Sequence, residues 1–203
     1  MKDSGIFRCK DRNEWRDWLS AHFETEKEIL LVFPAKAANE LCVSYNDAVE
    51  EALCFGWIDG KAGTLDGTHQ TRRFTPRRKG SSYSQPNIER LKRMEERGRI
   101  HPKIRSLVLP VIQAPFVFPE DILEALRKDP EVWRNYQAFP EPYKRIRVAY
   151  VDAARKRPAE FEKRLAHFLS KTRQNKRITG YGGIEQYYED PEKAPEKPGN
   201  DRT

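Results

Sequence analysis

The dipeptide Asp66-Gly67 separates two strand-like runs, and this arrangement constrains the fold of the central part of the chain most strongly. Before it, residues 55–60 (FGWIDG) mix aromatic and β-branched residues between glycines, a composition that favours a buried strand. After it, residues 68–79 carry five basic and no acidic side chains. Asp-Gly favours a tight turn between antiparallel strands. The sequence therefore predicts a β-hairpin whose second strand presents a basic surface.

Helix-start signals lie on both sides of this hairpin. Ser44 and Asp47 have the spacing of a capping box, as do Asp11 and Glu14, so each pair predicts the start of a helix. Pro86 predicts the first turn of a third helix, because the N–H that proline lacks is not needed there. The exposed face of this third helix is predicted to carry Arg90, Lys92, Arg93 and Arg97.

The second half of the chain is dominated by helical patterns. The stretch 101–118 contains three prolines and an apolar run, so we expect an extended crossing there. Beyond it, prolines at four positions each introduce a segment of helical apolar spacing. These positions are Pro119, Pro130, Pro142 and Pro158. A small helical bundle is the predicted result.

The predicted fold class is α+β, a small antiparallel sheet with packed helices followed by a C-terminal helical bundle subdomain. The predicted strands are Glu28–Phe33, Gly56–Leu65 and Thr68–Pro76, and residues 5–7 are expected to begin an edge strand. The predicted domains are an α+β half with the FGWIDG and TPRR motifs at 1–105, a helical half at 106–188 and a disordered tail at 189–203.

Composition excludes several classes of protein. The longest unbroken apolar run has five residues, too few for a membrane-spanning helix, so no membrane insertion is expected. Three cysteines without C-x-x-C spacing and four histidines without paired spacing indicate neither a disulfide framework nor a metal site. Without a phosphate loop we expect no cofactor. The cytoplasm is the expected location, because no secretory signal is present.

The charge distribution points to an anionic partner. The net charge is +7, but residues 61–105 contain 13 basic and 4 acidic side chains. Arginine binds phosphate and carboxylate through paired hydrogen bonds, so the predicted anion-binding residues are Arg72, Arg73, Arg77 and Arg78. Trp57 and Phe74 would add a stacking surface. The alternative is that these arginines form ion pairs with the acidic first sixty residues.

A pocket is predicted beside the arginines. Its expected members are Trp57, Asp59, Thr75, Ser84 and Asn87. Asp59, at the end of an apolar strand, is the one weak catalytic candidate, and its structural alternative is a turn cap or an ion pair with Arg77 or Arg78. Pro76 makes an end of the strand plausible, in which case both following arginines turn toward this pocket.

The motifs FGWIDG, TPRR (Thr75–Arg78) and S-x-x-N ending at Asn87, in this order, resemble the YdeI/OmpD-associated family, also called bacteriocin-protection proteins. The resemblance implies a link to envelope stress or to protection from cationic peptides, and no settled enzymatic activity. The family commonly has A-K-x-x-E-T-R-x-x-R-I in its last helices. Here Ala154 is followed by a different run, and a similar T-R-x-x-K-R-I run appears later, at Thr172–Ile178. The resemblance therefore assigns no functional role to any C-terminal residue.

The sequence is consistent with two functions. The first is a non-enzymatic cytoplasmic binding protein that holds an anionic ligand or acidic partner, either a phosphorylated metabolite or a nucleic acid. The alternative is an enzyme that acts on an anionic small molecule, with Asp59 as general base and Arg77 and Arg78 as clamp. Strong salt dependence favours a polyanion. The enzyme requires Asp59 to line a cavity.

Overall fold

The computed structural model describes four ranges of the chain, 5–34, 40–67, 69–179 and 184–188. The chain divides into two compact units, Met1–Gln113 and Ala114–Thr203. The predicted domain boundaries at 105 and 188 stay predictions, and the predicted tail at 189–203 lies outside the described residues. Each unit is built around a hydrophobic core of its own.

The N-terminal unit contains a four-stranded mixed sheet in the order β1-β2-β4-β3. Its strands are β1 (Ile6–Phe7), β2 (Ile29–Pro34), β3 (Trp57–Thr64) and β4 (His69–Pro76). The predicted hairpin is confirmed, because β3 and β4 pair antiparallel on either side of Asp66-Gly67, and β2 and β4 are also antiparallel. Thr68 lies outside the described residues.

The edge strand β1 differs from the predicted antiparallel arrangement, since it pairs parallel with β2. Parallel neighbours require a crossover connection of a dozen or more residues. The connection here contains the helix α1 (Arg12–His22), which the capping spacing at Asp11 predicts correctly; Asp11 accepts hydrogen bonds from the N–H groups of Asn13 and Glu14. The fold class is α+β.

Three further helices complete the N-terminal unit: α2 (Tyr45–Cys54), α3 (Gln85–Glu96) and α4 (Pro102–Gln113). Ser44 caps α2 through its side chain, whereas Ser84 occupies the cap position of α3 without a side-chain hydrogen bond. The predicted extended crossing at 101–118 is wrong over α4. Pro102 lies in the first turn, where proline is tolerated, and the second proline, Pro110, is accommodated inside the helix.

The α2–β3 junction depends on a glycine. Gly56 follows α2 with φ +74°, a left-handed conformation that side chains disfavour. A Cβ built at Gly56 would lie 2.9 Å from Cδ1 of Ile104. Trp57 follows and is 1% exposed, as expected for a core residue; its indole donates to the Phe23 carbonyl at 3.0 Å. The FGWIDG motif thus turns the chain from a buried helix into β3. The predicted buried strand is wrong beyond Trp57, because the rest of β3 is half-buried or exposed.

The C-terminal unit is helical, as the proline spacing predicts. Its helices are α5 (Glu120–Arg127), α6 (Pro130–Ala138), α7 (Glu141–Asp152) and α8 (Pro158–Arg173), followed by a 3₁₀ turn at Ile184–Tyr187. The segment after α8 is fixed at Ile178. The N–H of Ile178 donates to the Tyr143 hydroxyl, and its carbonyl accepts from Arg147 and Tyr188, each at 3.0 Å. Within the described ranges, no helix combines the length and apolarity that a membrane crossing requires.

Candidate functional site

Polar side chains converge on the first turn of α2, and we call them the Tyr45 cluster. The cluster consists of Tyr45, Asn46, Asp59, Arg72, Asn87 and Arg90. The Tyr45 hydroxyl donates to Oδ2 of Asp59 at 2.7 Å. The Arg72 guanidinium lies 5.0 Å from the centre of the Tyr45 ring, and its Nη1 donates to the Gly60 carbonyl at 3.2 Å. Two predicted site residues, Asp59 and Arg72, are thus brought together by a tyrosine that was not predicted.

Arg90 occupies the other side of the cluster. Its Nη1 donates to Oδ1 of Asn87 at 3.0 Å, and its Nη2 donates to Oδ1 of Asn46 at 2.9 Å. Arg90 is only 5% exposed, so its predicted position on the exposed face of α3 is wrong. Helical spacing within α3 identifies one apolar face. It does not indicate that a second face is covered by another helix.

The electrostatics of the cluster act on Tyr45. Burial raises the pKa of Tyr45 to about 12, and the hydrogen bond and negative charge of Asp59 act in the same direction. The positive charges of Arg72 and Arg90 act against this shift. The phenol therefore stays protonated at neutral pH and can serve as the donor to Asp59.

The hairpin register places Asp59 in this cluster. Asp59 lies opposite Phe74, and directly opposed residues share one face of a sheet. Phe74 is fully buried, so this face is the core face of the sheet. A register shift between Asp59 and Ala62 follows, which is the irregularity of a β-bulge. Gly60 lies within this irregularity, and its carbonyl accepts a hydrogen bond from the Arg72 guanidinium.

A second basic feature follows β4, which ends at Pro76; we call residues 77–83 the basic loop. The Arg77 guanidinium lies 3.6 Å from the centre of the Tyr83 ring. Its Nη2 donates to the carbonyls of Ser81 and Ser82 at 3.2 and 2.9 Å. Arg77 therefore organises the loop and forms no ion pair with Asp59. The expected structural pairing of these two residues is absent from the described part of the chain.

The next two basic residues, Arg78 and Lys79, are exposed. Neither side chain forms an ion pair or hydrogen bond with any residue in the described ranges. Neighbouring arginines therefore differ sharply, since Arg77 is engaged within the loop while Arg78 is directed to solvent. This difference arises because β4 ends before both of them and the chain turns sharply at Gly80, whose φ is +78°.

The remaining predicted site residues lie apart from one another. Arg73 pairs with Glu28, and both side chains are half exposed, so the ion-pair alternative holds for this arginine. Trp57 and Phe74 lie in the hydrophobic core, and neither ring offers a face to a ligand. Thr75 is half-buried opposite Ile58, and the Ser84 side chain is exposed.

A buried ionic cluster forms elsewhere in the N-terminal unit. Glu51, on α2, is completely buried and accepts from three arginines, Arg12, Arg16 and Arg99. Arg12 also pairs with Asp47 at 2.8 Å and with Glu50 at 2.6 Å. The ion pairs of the acidic N-terminal region are thus made mainly with α1 and Arg99. Nothing in the sequence of α2 marks Glu51 as buried, apart from its position beside the apolar Ala52 and Leu53.

Metal and thiol chemistry have no evident centre in the described residues. No group of three or more His, Cys, Asp or Glu side chains there is placed to hold a metal ion. Cys54 is completely buried, and burial raises the pKa of its thiol to about 12. The reactive thiolate form is therefore disfavoured, and Cys54 acts as a small core side chain.

Comparison with known families divides the chain at the same place as its two units. Residues 7–106 match the family model described as a domain of unknown function (DUF8412). Residues 115–175 match the model described as bacteriocin-protection, YdeI or OmpD-associated. The predicted resemblance to the YdeI/OmpD-associated family is therefore confirmed over residues 115–175. No curated protein and no solved structure matches the chain.

The YdeI/OmpD-associated segment covers helices α5 to α8. The motifs FGWIDG and TPRR, on which the resemblance rests, lie instead within 7–106. The Tyr45 cluster and the basic loop therefore belong to the part of the chain matched by the other family model. The displaced T-R-x-x-K-R-I run begins at Thr172, buried in the last turn of α8, and ends at the anchored Ile178.

Proposed function

We propose that this YdeI/OmpD-associated protein is a non-enzymatic cytoplasmic binding protein that holds an anionic ligand or partner through its basic loop. The ligand class is a nucleic acid or a phosphorylated metabolite. One observation carries the proposal: Arg78 and Lys79 are exposed and form no ion pair with the described residues. Many arginines of the same unit are already paired with carboxylates, among them Arg12, Arg16 and Arg99.

The organisation of the basic loop supports this proposal. Arg77 lies against Tyr83 and bonds two loop carbonyls, so the loop is held before any ligand arrives. Holding a binding loop in one conformation lowers the entropy lost on association. Arg78 and Lys79 are therefore presented from a fixed support. Arginine can bind one phosphate through two hydrogen bonds, while lysine contributes a point charge.

Fluorescence anisotropy with a short labelled single-stranded DNA tests the proposal, with inorganic pyrophosphate as a competing small anion. For a nucleic acid ligand, affinity should fall steeply between about 50 and 200 mM salt, because each neutralised phosphate releases counterions. The double variant Arg78→Gln/Lys79→Gln should lower the steepness of log K against log salt by about 1.4, since each phosphate contact to single-stranded DNA contributes about 0.7. For a small phosphorylated ligand, pyrophosphate should displace the DNA at low concentration.

The matched control is Lys156→Gln/Arg157→Gln. These residues form another adjacent, exposed Lys/Arg pair, so the double variant changes the net charge equally. Equal weakening by both double variants would mean that only overall charge matters. That result, or an absence of binding to both probes at low salt, would contradict the proposal.

The enzyme alternative has one supporting observation, a half-buried Asp59 that accepts a hydrogen bond from Tyr45. Its proposed clamp is less well supported, because Arg77 contacts Tyr83 and the loop carbonyls. Asp59→Asn separates the two functions. The binding proposal expects this variant to retain its affinity for anions. The enzyme alternative expects it to abolish turnover of any anionic small molecule that the wild-type protein consumes.

A role in bacteriocin protection forms part of the proposal and rests on the family description alone. A role in envelope stress is implied only by the motif resemblance. It can be tested by complementing a deletion strain of the source organism and measuring survival under bacteriocin challenge. On this proposal the wild-type gene restores survival and Arg78→Gln/Lys79→Gln does not, although both proteins accumulate equally. Equal rescue by both would separate any protective role from the basic loop.

A further inference from the structure

The C-terminal unit contains a cleft of about 530 Å³ between α8 and the turn that joins α5 to α6. Small-molecule sites usually occupy about 300 to 1,000 Å³ and are lined mainly by apolar side chains with a few polar groups. The apolar lining here consists of Ala125, Val132, Leu165 and Leu169. The cleft therefore has the size and the chemistry of a ligand site.

The apolar lining is partly open to solvent. Leu165 and Leu169 are one turn apart on α8, so both face the cleft, and both remain half-buried. The core side of α8 is formed by Phe168 and Thr172, which are fully buried. Val132 is 3% exposed. An apolar ligand would cover the exposed parts of the two leucines, which folding alone leaves in contact with water.

The charges at the mouth of the cleft select the ligand. Arg173 is paired with Asp129 at 2.8 Å and lies 3.8 Å from Glu131. Asp129 also caps α6 by accepting from the N–H groups of Glu131 and Val132. Lys128 is exposed and makes no ion pair or hydrogen bond through its side chain with any residue that the structure describes. Lys128 is thus the cation that remains available to a ligand.

We propose that this cleft binds a small amphiphilic anion. Its apolar body would lie against Leu165, Leu169 and Val132, and its anionic head would pair with Lys128. The site is independent of the basic loop, which belongs to the N-terminal unit. The chain's own residues 189–203 are poor occupants, because that segment contains no Leu, Ile, Val, Met, Phe, Tyr or Trp.

Three ligands that share a ten-carbon chain test the proposal by isothermal titration calorimetry. The two charged ligands are kept below their micellar concentrations and the neutral one below its solubility limit. The anionic probe is decanoate, the neutral one n-decanol and the cationic one decyltrimethylammonium. We expect decanoate to bind most tightly. Lys128→Gln should weaken decanoate by about threefold to fivefold, the effect of losing one exposed ion pair, and leave n-decanol unchanged. The control Lys156→Gln removes an exposed lysine outside the cleft lining and should change neither.

A second variant tests the cavity itself. Ala125→Leu adds three carbon atoms to the lining and should weaken both decanoate and n-decanol, while circular dichroism shows an unchanged helix content. Binding of decanoate that Ala125→Leu leaves unaltered would place the ligand elsewhere and overturn the proposal. Equal affinity for the anionic and cationic probes, or no binding of decanoate below about 1 mM, would overturn it as well.

Discussion

The hydroxyl of Tyr45 donates a 2.7 Å hydrogen bond to Oδ2 of Asp59 and so joins the first turn of α2 to β3. The carboxylate is half-buried, and its hydrogen bond to a neutral phenol satisfies one of its oxygens without a second charge. Arg72 contacts the face of the same ring. Tyr45 therefore contacts an acidic side chain on β3 and a basic side chain on β4, so its side chain links α2, β3 and β4.

Replacing Tyr45 with phenylalanine tests this role. Tyr45→Phe keeps the ring under Arg72 but leaves Asp59 without its donor. We expect the free energy of unfolding to fall by about 1.5 to 3 kcal/mol, the range for hydrogen bonds to charged groups. Urea unfolding measures the change. Tyr83→Phe is the control, because the Tyr83 hydroxyl bonds no described residue, and it should change stability by less than about 0.5 kcal/mol.

The same tyrosine predicts a change of stability at high pH. The pKa of Tyr45 is raised in the folded state from an ordinary value of 10 to about 12. A raised pKa means that the folded state binds the proton more tightly, so its stabilising contribution is present below pH 10 and is lost as the pH rises through 12.

Two difference measurements check this pH dependence. The difference in unfolding free energy between the wild type and Tyr45→Phe should shrink as the pH rises from 10 toward 12. The ultraviolet absorbance of tyrosinate, taken as the difference between the wild type and Tyr45→Phe, should show one group titrating near the top of that interval. A constant difference in stability across the interval would contradict the hydrogen-bond assignment.

The buried carboxylate of Glu51 gives a larger predicted effect. Glu51→Gln removes the anion that faces Arg12, Arg16 and Arg99, and three guanidinium groups lose a shared partner. Removing one partner from a buried ionic network costs about 3 to 5 kcal/mol. Glu28→Gln breaks the half-exposed pair with Arg73 and should cost less than about 1 kcal/mol. Similar midpoints of chemical unfolding for the two variants would show that Glu51 is not the structural anion that its burial indicates.

The elements that sequence patterns located well are those fixed by local chemistry. Asp66-Gly67 marks the hairpin turn, Ser44 and Asp11 cap their helices, and each helix of the C-terminal unit begins at or beside a proline. These signals act over a few residues. The pattern at 101–118 predicts the wrong structure over α4, because proline near a helix start is tolerated and Pro110 is accommodated within the helix.

The candidate site was predictable only in part, because its contacts join distant positions. Asp59 and Arg72 were singled out from their place in the hairpin, but Tyr45 and Arg90 reach them through the packing of α2 and α3. Arg90 was expected in solvent because one helical period describes one apolar face. No sequence pattern predicts the contact between Arg77 and Tyr83. The sequence therefore does not predict that Arg77 is held within the loop while Arg78 is exposed.

Gly56 yields the last prediction, because two separate costs apply at this position. Any residue other than glycine must adopt φ +74° at this position, which costs about 1 to 2 kcal/mol. An alanine Cβ would also lie 2.9 Å from Cδ1 of Ile104. Gly80 has a similar φ of +78° with nothing within 4 Å of a built Cβ, so Gly80→Ala isolates the backbone cost. Urea unfolding should therefore show Gly56→Ala to be less stable than Gly80→Ala by about 1 kcal/mol or more, the cost of crowding a packed core.

The variant Ile104→Val separates the two costs, because valine lacks the clashing Cδ1. In the Ile104→Val background, adding Gly56→Ala should cost only about as much stability as Gly80→Ala costs in the wild type. Equal losses for Gly56→Ala and Gly80→Ala in the wild type would show that Ile104 moves aside freely and that backbone strain alone requires glycine in the FGWIDG motif.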